Sequence, residues 1–208
     1  FEEIEAARAS GQRVTADVYN YTAGATGLNA AFPPWVQEGG YDAWAERLRD
    51  PDVRERLALE MSRVPEDWES LYLAAGSGEK VLLVGFKNPD LQDLTGRTLA
   101  SVAAERELSE IETMIELVLE DGSRVEAVYF LMSDENLAKK IAKPWVSFCS
   151  DAGSMAPEGD FLLSNPHPRA YGNFARLLGR YVRDEGVISL AEAVRRLSSH
   201  PAETFGLE

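Results

Sequence analysis

An aspartate closing a short apolar run, and an arginine eighteen residues later, are the residues best placed for chemistry in this 208-residue sequence. Trp145-Val146-Ser147-Phe148-Cys149-Ser150-Asp151-Ala152-Gly153 is too brief for a helix and ends in a carboxylate and a glycine turn. Where a buried parallel strand stops, the loops of an α/β enzyme form its open mouth, and an acid there suits a general base or a metal ligand. Asp151 suits an Asx turn or the N-cap of a short turn equally well. Asn165-Pro166-His167-Pro168-Arg169 is a proline-stiffened loop presenting an arginine, whose planar fork matches a carboxylate. The plain alternative for Arg169 is a surface salt bridge. Tyr19 and Tyr21 offer phenol hydroxyls to a ligand, or simply pack a strand end.

Period two puts Ser147, Cys149 and Asp151 on one face. Cys149 then reads as a ligand or nucleophile, or, as a lone cysteine in an apolar strand usually is, a small buried hydrophobe. His167 and His200 form neither an H-x-H nor an HExxH pair, and a catalytic zinc needs about three protein ligands. A complete metal site within the chain is therefore not expected. Gly24-Ala25-Thr26-Gly27 fits neither phosphate-loop pattern, which leaves a nucleotide without support.

The elements that must carry these groups alternate between α and β. Residues 1–10 read as a helix ended by Gly11, and Arg13 to Tyr19 alternates like a strand. A loop follows to Gly27. Phe32-Pro33-Pro34-Trp35 reads as non-helical chain crossing a surface or a pocket rim. Asp50-Pro51 starts a helix. Strands are expected over 68–74, 81–86 and 125–132, and helices from about 99 to 106 and after the capping boxes at Ser109 and Ser189. Ser133 caps another helix, which Lys143-Pro144 stops. Phe174, Leu177, Leu178, Tyr181 and Val182 form one helical stripe, and Leu190, Val194 and Leu197 another. The acidic faces at Glu110, Glu112 and Glu116 read as solvated. Long helical excursions between strands favour parallel crossover units.

Composition narrows the function. A net charge of −14 argues against a nucleic-acid or anionic-membrane surface. No apolar run is long enough to span a bilayer. A single cysteine excludes an internal disulfide and fits a reducing, cytoplasmic setting. The chain opens on Phe1 without an initiator methionine, and both ends look cut.

Three segments together resemble the N-acyl-D-amino-acid deacylases (D-aminoacylases) of the amidohydrolase superfamily. They are Val14 to Gly27 (VTADVYNYTAGATG), Ser150-Asp151, and His167-Pro168-Arg169-Ala170-Tyr171-Gly172 with Phe174 and Leu178-Gly179-Arg180-Tyr181. Gly96-Arg97-Thr98-Leu99 and Ala103-Ala104-Glu105-Arg106 extend the likeness in the same order. The resemblance implies an α/β fold, the C-terminal part of a zinc-dependent (β/α)8 barrel. On it, 1–27 are a barrel helix and the seventh strand, and 28–144 a large α+β insertion. Residues 145–208 are then the eighth strand, the substrate loop and the last helices. It also implies hydrolysis of the linear amide of N-acyl-D-amino acids by a zinc-activated water. Asp151 matches the catalytic aspartate and a metal ligand, while Tyr19 and Arg169 match positions that hold the substrate's α-carboxylate.

The sequence departs from that pattern. The family's metal-binding histidines and cysteine come from earlier strands, and none lies in this chain. Asn20 stands where a proline is usual between the two tyrosines, Ala25 replaces a serine, and Ala152 replaces a glycine. Two alternatives follow: a non-catalytic structural or binding fragment, whose strand edges would pair with another copy or with the missing half, and a cyclic-amide hydrolase of the dihydroorotase or hydantoinase type.

Overall fold

In the computed structural model, which describes residues 1–163 and 165–207, caps and breakers set most helix boundaries. Helix α1 (Glu2–Ala9) stops before Gly11, and the chain enters strand β1 (Ala16–Val18). Strand β2 (Gly24–Gly27) forms where the sequence predicts a loop. Its small residues carry no alternation to read, and long-range antiparallel pairing makes it a strand. Helix α2 (Pro34–Gln37) overturns the non-helical reading, because a proline at the first helical position forfeits no hydrogen bond. Helices α3 (Tyr41–Arg49) and α4 (Pro51–Glu60) follow, and the Asp50 carboxylate caps α4 by accepting from the Asp52 N–H at 2.9 Å.

Residues 68–74, expected as a strand, instead lead into helix α5 (Leu71–Ala75), which Ser70 caps and Gly76 ends at φ +89°. Its Leu and Ala residues are good helix formers, and the cap decides the matter. Strand β3 (Val81–Gly85) precedes α6 (Leu99–Arg106), capped by Thr98, and α7 (Glu110–Asp121), capped by Ser109. After β4 (Glu126–Tyr129) come α8 (Asp134–Ile141) and β5 (Val146–Phe148). Helix α9 (Arg169–Arg176) runs on with π winding over Leu177–Asp184, followed by α10 (Leu190–Leu197) and α11 (Ser199–Phe205).

The chain forms two units. One comprises Phe1–Thr22, Ser133–Met155 and the residues from Pro168 on. Its β1 and β5 pair in parallel, with Ala16 opposite Val146 and Val18 opposite Phe148. Its core joins Leu137 and Ile141 of α8 to Phe148, Leu177, Tyr181 and Ala193. The expected helical stripes are only partly buried here. Leu177 and Tyr181 are inside, but Phe174, Leu178, Leu190 and Val194 are exposed. The i→i+5 winding, seen where the Glu185 N–H reaches the Arg180 carbonyl at 2.8 Å, breaks the 3.6-residue period that the first stripe assumes. In α10 the inward face is Ala193 and Arg196.

The other unit, Ala23–Met132 with Ala156–His167, holds an antiparallel sheet of order β2-β4-β3. Met114, Ile115, Leu117 and Val118 of α7 pack in its core with Leu28, Trp44, Leu57 and Tyr129. Its acidic faces are not merely solvated. Glu110 accepts from the Tyr72 hydroxyl at 2.6 Å and the Gly78 N–H at 2.9 Å, and Glu116 pairs with Arg54. Pro34 and Trp35 do line a cleft, of about 510 Å³, with Arg56 and Trp68; none of Tyr19, Asp151 or Arg169 lines it. Among the described residues no helix is long and apolar enough to cross a membrane.

Candidate active site

Parallel pairing sets the C-terminal ends of β1 and β5 side by side, and the Cys149 N–H extends the ladder to the Val18 carbonyl at 3.2 Å. Tyr19 directly follows β1, Asp151 lies three residues beyond β5, and Arg169 opens α9. The three residues that sequence reasoning singled out therefore meet in one unit. Arg169 Nη1 is 3.0 Å from Asp151 Oδ2, and the guanidinium lies over the Tyr19 ring, 4.5 Å from its centroid.

Two local costs coincide here. Arg169 puts a cation on the first turn of a helix, where the macrodipole disfavours it. The Asp151 carboxylate and the Tyr19 ring face offset that. Asp151 itself adopts φ +48°, a left-handed conformation that aspartate tolerates better than most residues and that aims its side chain off the strand line. It is the N-cap of no described helix. The Asp151 side chain is 63% exposed and that of Arg169 only 11%, so the pair presents its acid outward and keeps its base fixed.

Burial pushes the Tyr19 phenol above its ordinary value, against the opposing charge of Arg169, so the hydroxyl stays protonated well past neutrality. Burial likewise raises the Cys149 thiol, and the carboxylates of Asp17 and Asp151 add to the effect. A protonated thiol is a weak nucleophile, and Cys149 is a half-buried strand-end residue. His167 is buried and His200 sits in α11. Among the described residues no three of His, Cys, Asp or Glu gather as a metal site.

Sequence reasoning missed the support beneath this trio. Asn20 and Asn173 are fully buried and bonded to each other, and Arg176 Nε donates to the Asn20 carbonyl at 2.9 Å while lying over the Tyr21 ring. The signal available was Asn20 itself, a residue with two donors where a proline has none. Gly172 has its own reason: a Cβ there would fall 2.5 Å from the Tyr21 hydroxyl, so only glycine lets that phenol lie against the helix.

No family model matches the chain. A D-aminoacylase of Alcaligenes xylosoxydans xylosoxydans is 35% identical over 115 residues, which is 55% of this chain and 21% of that protein. A crystal structure of N-acyl-D-glutamate deacylase from Bordetella bronchiseptica, complexed with zinc and a phosphonate mimic of the tetrahedral intermediate, matches 99% of this chain with a TM-score of 0.64 at 23% identity. A D-aminoacylase crystal structure matches the same share at 28% identity and the same TM-score of 0.64. The chain thus spans about a fifth of the curated relative's length and 31% of each solved one. The mixed α/β fold is that of the matching part of these amidohydrolases, and the chain is a relative of the N-acyl-D-amino-acid deacylases.

Proposed function

We propose that the protein carrying this chain hydrolyses the linear amide of N-acyl-D-amino acids, and that Tyr19, Asp151 and Arg169 belong to its substrate site. The observation that carries the reading is the convergence of an exposed carboxylate, a buried guanidinium and a protonated phenol at the ends of two parallel strands. Such a set can hold a carboxylate and move a proton beside it. Arg169 and Tyr19 grip the α-carboxylate of the substrate, the first through its fork and the second through its hydroxyl. Asp151, released from Arg169 as the substrate carboxylate takes its place, accepts a proton from the attacking water and returns it to the leaving nitrogen.

Zinc enters this reading as an ion held by residues outside the chain, where it would supply an acidified water. The described residues alone do not fit it, since a catalytic zinc needs about three protein ligands and no such group is present among them. In the same reading β1 and β5 are the seventh and eighth strands of a (β/α)8 barrel, with 28–144 inserted between them. Their parallel adjacency supports this, as does their isolation, since a two-stranded parallel sheet is too small to stand alone. That isolation also favours a second role for the unit, association through its strand edges with another copy or with the rest of a barrel. The single cysteine suits a cytoplasmic setting.

The test is hydrolysis of N-acetyl-D-glutamate, its L-enantiomer, hydantoin and dihydroorotate by the protein that carries this sequence. Turnover confined to the D-acyl substrate is expected, and turnover confined to the cyclic amides would replace the reading by a cyclic-amide hydrolase. Arg169→Gln should raise KM for the acyl amino acid roughly tenfold to a hundredfold, the value of losing charge-assisted hydrogen bonds, with a smaller change in kcat.

A further inference from the structure

We infer that Asn173 is a positioning residue, whose single buried amide holds together the three segments that carry Tyr19, Asp151 and Arg169. Asn173 Oδ1 accepts from the Asn20 N–H at 2.8 Å, one residue from Tyr19. Asn173 Nδ2 donates to the Cys149 carbonyl at 2.6 Å, two residues from Asp151. Its own backbone belongs to α9 one turn beyond Arg169, so the two side chains share a helix face. The Asn20 side chain closes the clasp by donating from Nδ2 to the Asn173 carbonyl at 2.6 Å.

The amide orientation follows from these partners. Its oxygen faces an N–H and its nitrogen faces a C=O, and a flip would set donor against donor and acceptor against acceptor. Asn20 is 0% exposed and Asn173 is 1% exposed, so losing the bond between the Asn20 N–H and Asn173 Oδ1 leaves a buried polar atom unpaired. Cys149 is half-buried, and the Asn173 carbonyl also accepts from the Leu177 N–H. Proline at position 20 could supply neither donor. The clasp is therefore built on Asn20, one of the residues by which this chain departs from the resemblance, and it depends on both asparagines. Its effect is to fix the distance between Arg169 and the two strand ends, so that the guanidinium lies over the Tyr19 ring and within reach of Asp151. As a statement about a carboxylate site, it rests on the function proposed above.

The test follows the Arg169 side-chain protons by NMR in the protein that carries this sequence, with arginine selectively labelled, where the Tyr19 ring current shifts them upfield; Tyr19→Leu identifies that signal. Asn173→Ala is expected to remove more than half of the upfield displacement while the Ile141 and Leu177 methyl signals of the core stay in place. Asn20→Ala takes away one arm and leaves the Asn173 amide intact, so it should move the signal in the same direction by less. It also serves if the first variant does not fold. An Arg169 signal unmoved in a folded variant overturns the positioning role. Titration with N-acetyl-D-glutamate separates the two claims. If Arg169→Gln binds it as well as the unaltered protein that carries this sequence does, the carboxylate reading fails and the clasp stands. If only the Arg169 signal is indifferent to Asn173, the reverse holds.

Discussion

Replacing Asp151 with Asn should lower kcat for N-acetyl-D-glutamate roughly a hundred- to ten-thousandfold, the range that a positioned acid–base group contributes. The substitution is conservative everywhere except in the proton. Asparagine tolerates the φ of +48° at this position at least as well as aspartate does, so backbone strain is not added. One oxygen remains to accept from Arg169. What disappears is the charge and the ability to carry a proton from water to the leaving nitrogen. KM should fall as well, but far less. Arg169 Nη1 lies 3.0 Å from Asp151 Oδ2, and in the proposed site Asp151 would compete with the substrate carboxylate for the guanidinium. Because Asp151 is mostly exposed, that pair is worth little, and weakening it should lower KM by only about two- to fivefold. Steady-state kinetics on the protein that carries this sequence, with elemental analysis for zinc, reads both effects. Zinc that persists while kcat collapses marks Asp151 as the proton carrier, and zinc lost in parallel marks it as a ligand. A variant with nearly unchanged kcat would remove Asp151 from the mechanism.

The residues of this trio are legible in the sequence because they announce themselves by type and setting. Asp151 ends an apolar run and Arg169 follows two prolines, so local sequence suffices to single them out. Their mutual geometry was not legible in the same way. It depends on β1 pairing with β5 across more than a hundred intervening residues, and no local period encodes that partner. Asn173 is the extreme case. Its side chain reaches Cys149, 24 residues away, and Asn20, 153 residues away, and on its own helix it looks like one more polar residue. The same contrast runs through the fold. Ser109, Ser133 and Asp50 cap helices where capping chemistry says they should, because the bond closes within three residues. Strand β2 has no such local device, since Gly24-Ala25-Thr26-Gly27 becomes a strand only through β4. The stripe in α10 misled because a charged residue, Arg196, occupies the buried face that Leu190 and Val194 were expected to fill.

That arginine carries the largest expected effect on stability. Arg196 is 0% exposed, and its guanidinium donates to three main-chain carbonyls: Ile141 at 2.6 Å, Lys143 at 2.5 Å and Val146 at 3.2 Å. The first lies in the last turn of α8 and the second just past its end, where the helix leaves carbonyls without intrahelical partners. The third belongs to β5, the strand that leads to Asp151. Arg196 Cζ lies 4.8 Å from the Phe148 ring centroid, and Glu192 lies 3.3 Å from Nε as an ion pair without hydrogen-bond alignment. Burial lowers the arginine's affinity for its proton, yet a guanidinium remains charged at any working pH. Arg196→Ala removes the donor from three carbonyls at once, of which that of Lys143 keeps another partner, the Val146 N–H at 3.1 Å, and leaves a cavity beside Phe148. At about 1–3 kcal/mol for each buried acceptor left unpaired, partly relieved by water entering the gap, the net loss should be about 3–5 kcal/mol. For a chain of this length that corresponds to a fall in Tm of roughly 6–20 °C. Arg196→Lys should recover part of it, because an ammonium reaches one or two of the carbonyls but not all three from a single point. Arg196→Met fills the space without donors and should stay close to alanine. Urea or thermal unfolding of the three variants decides the matter. A loss below about 1 kcal/mol in Arg196→Ala would mean that the carbonyls find other partners, and that α8 and β5 do not depend on this side chain for their junction.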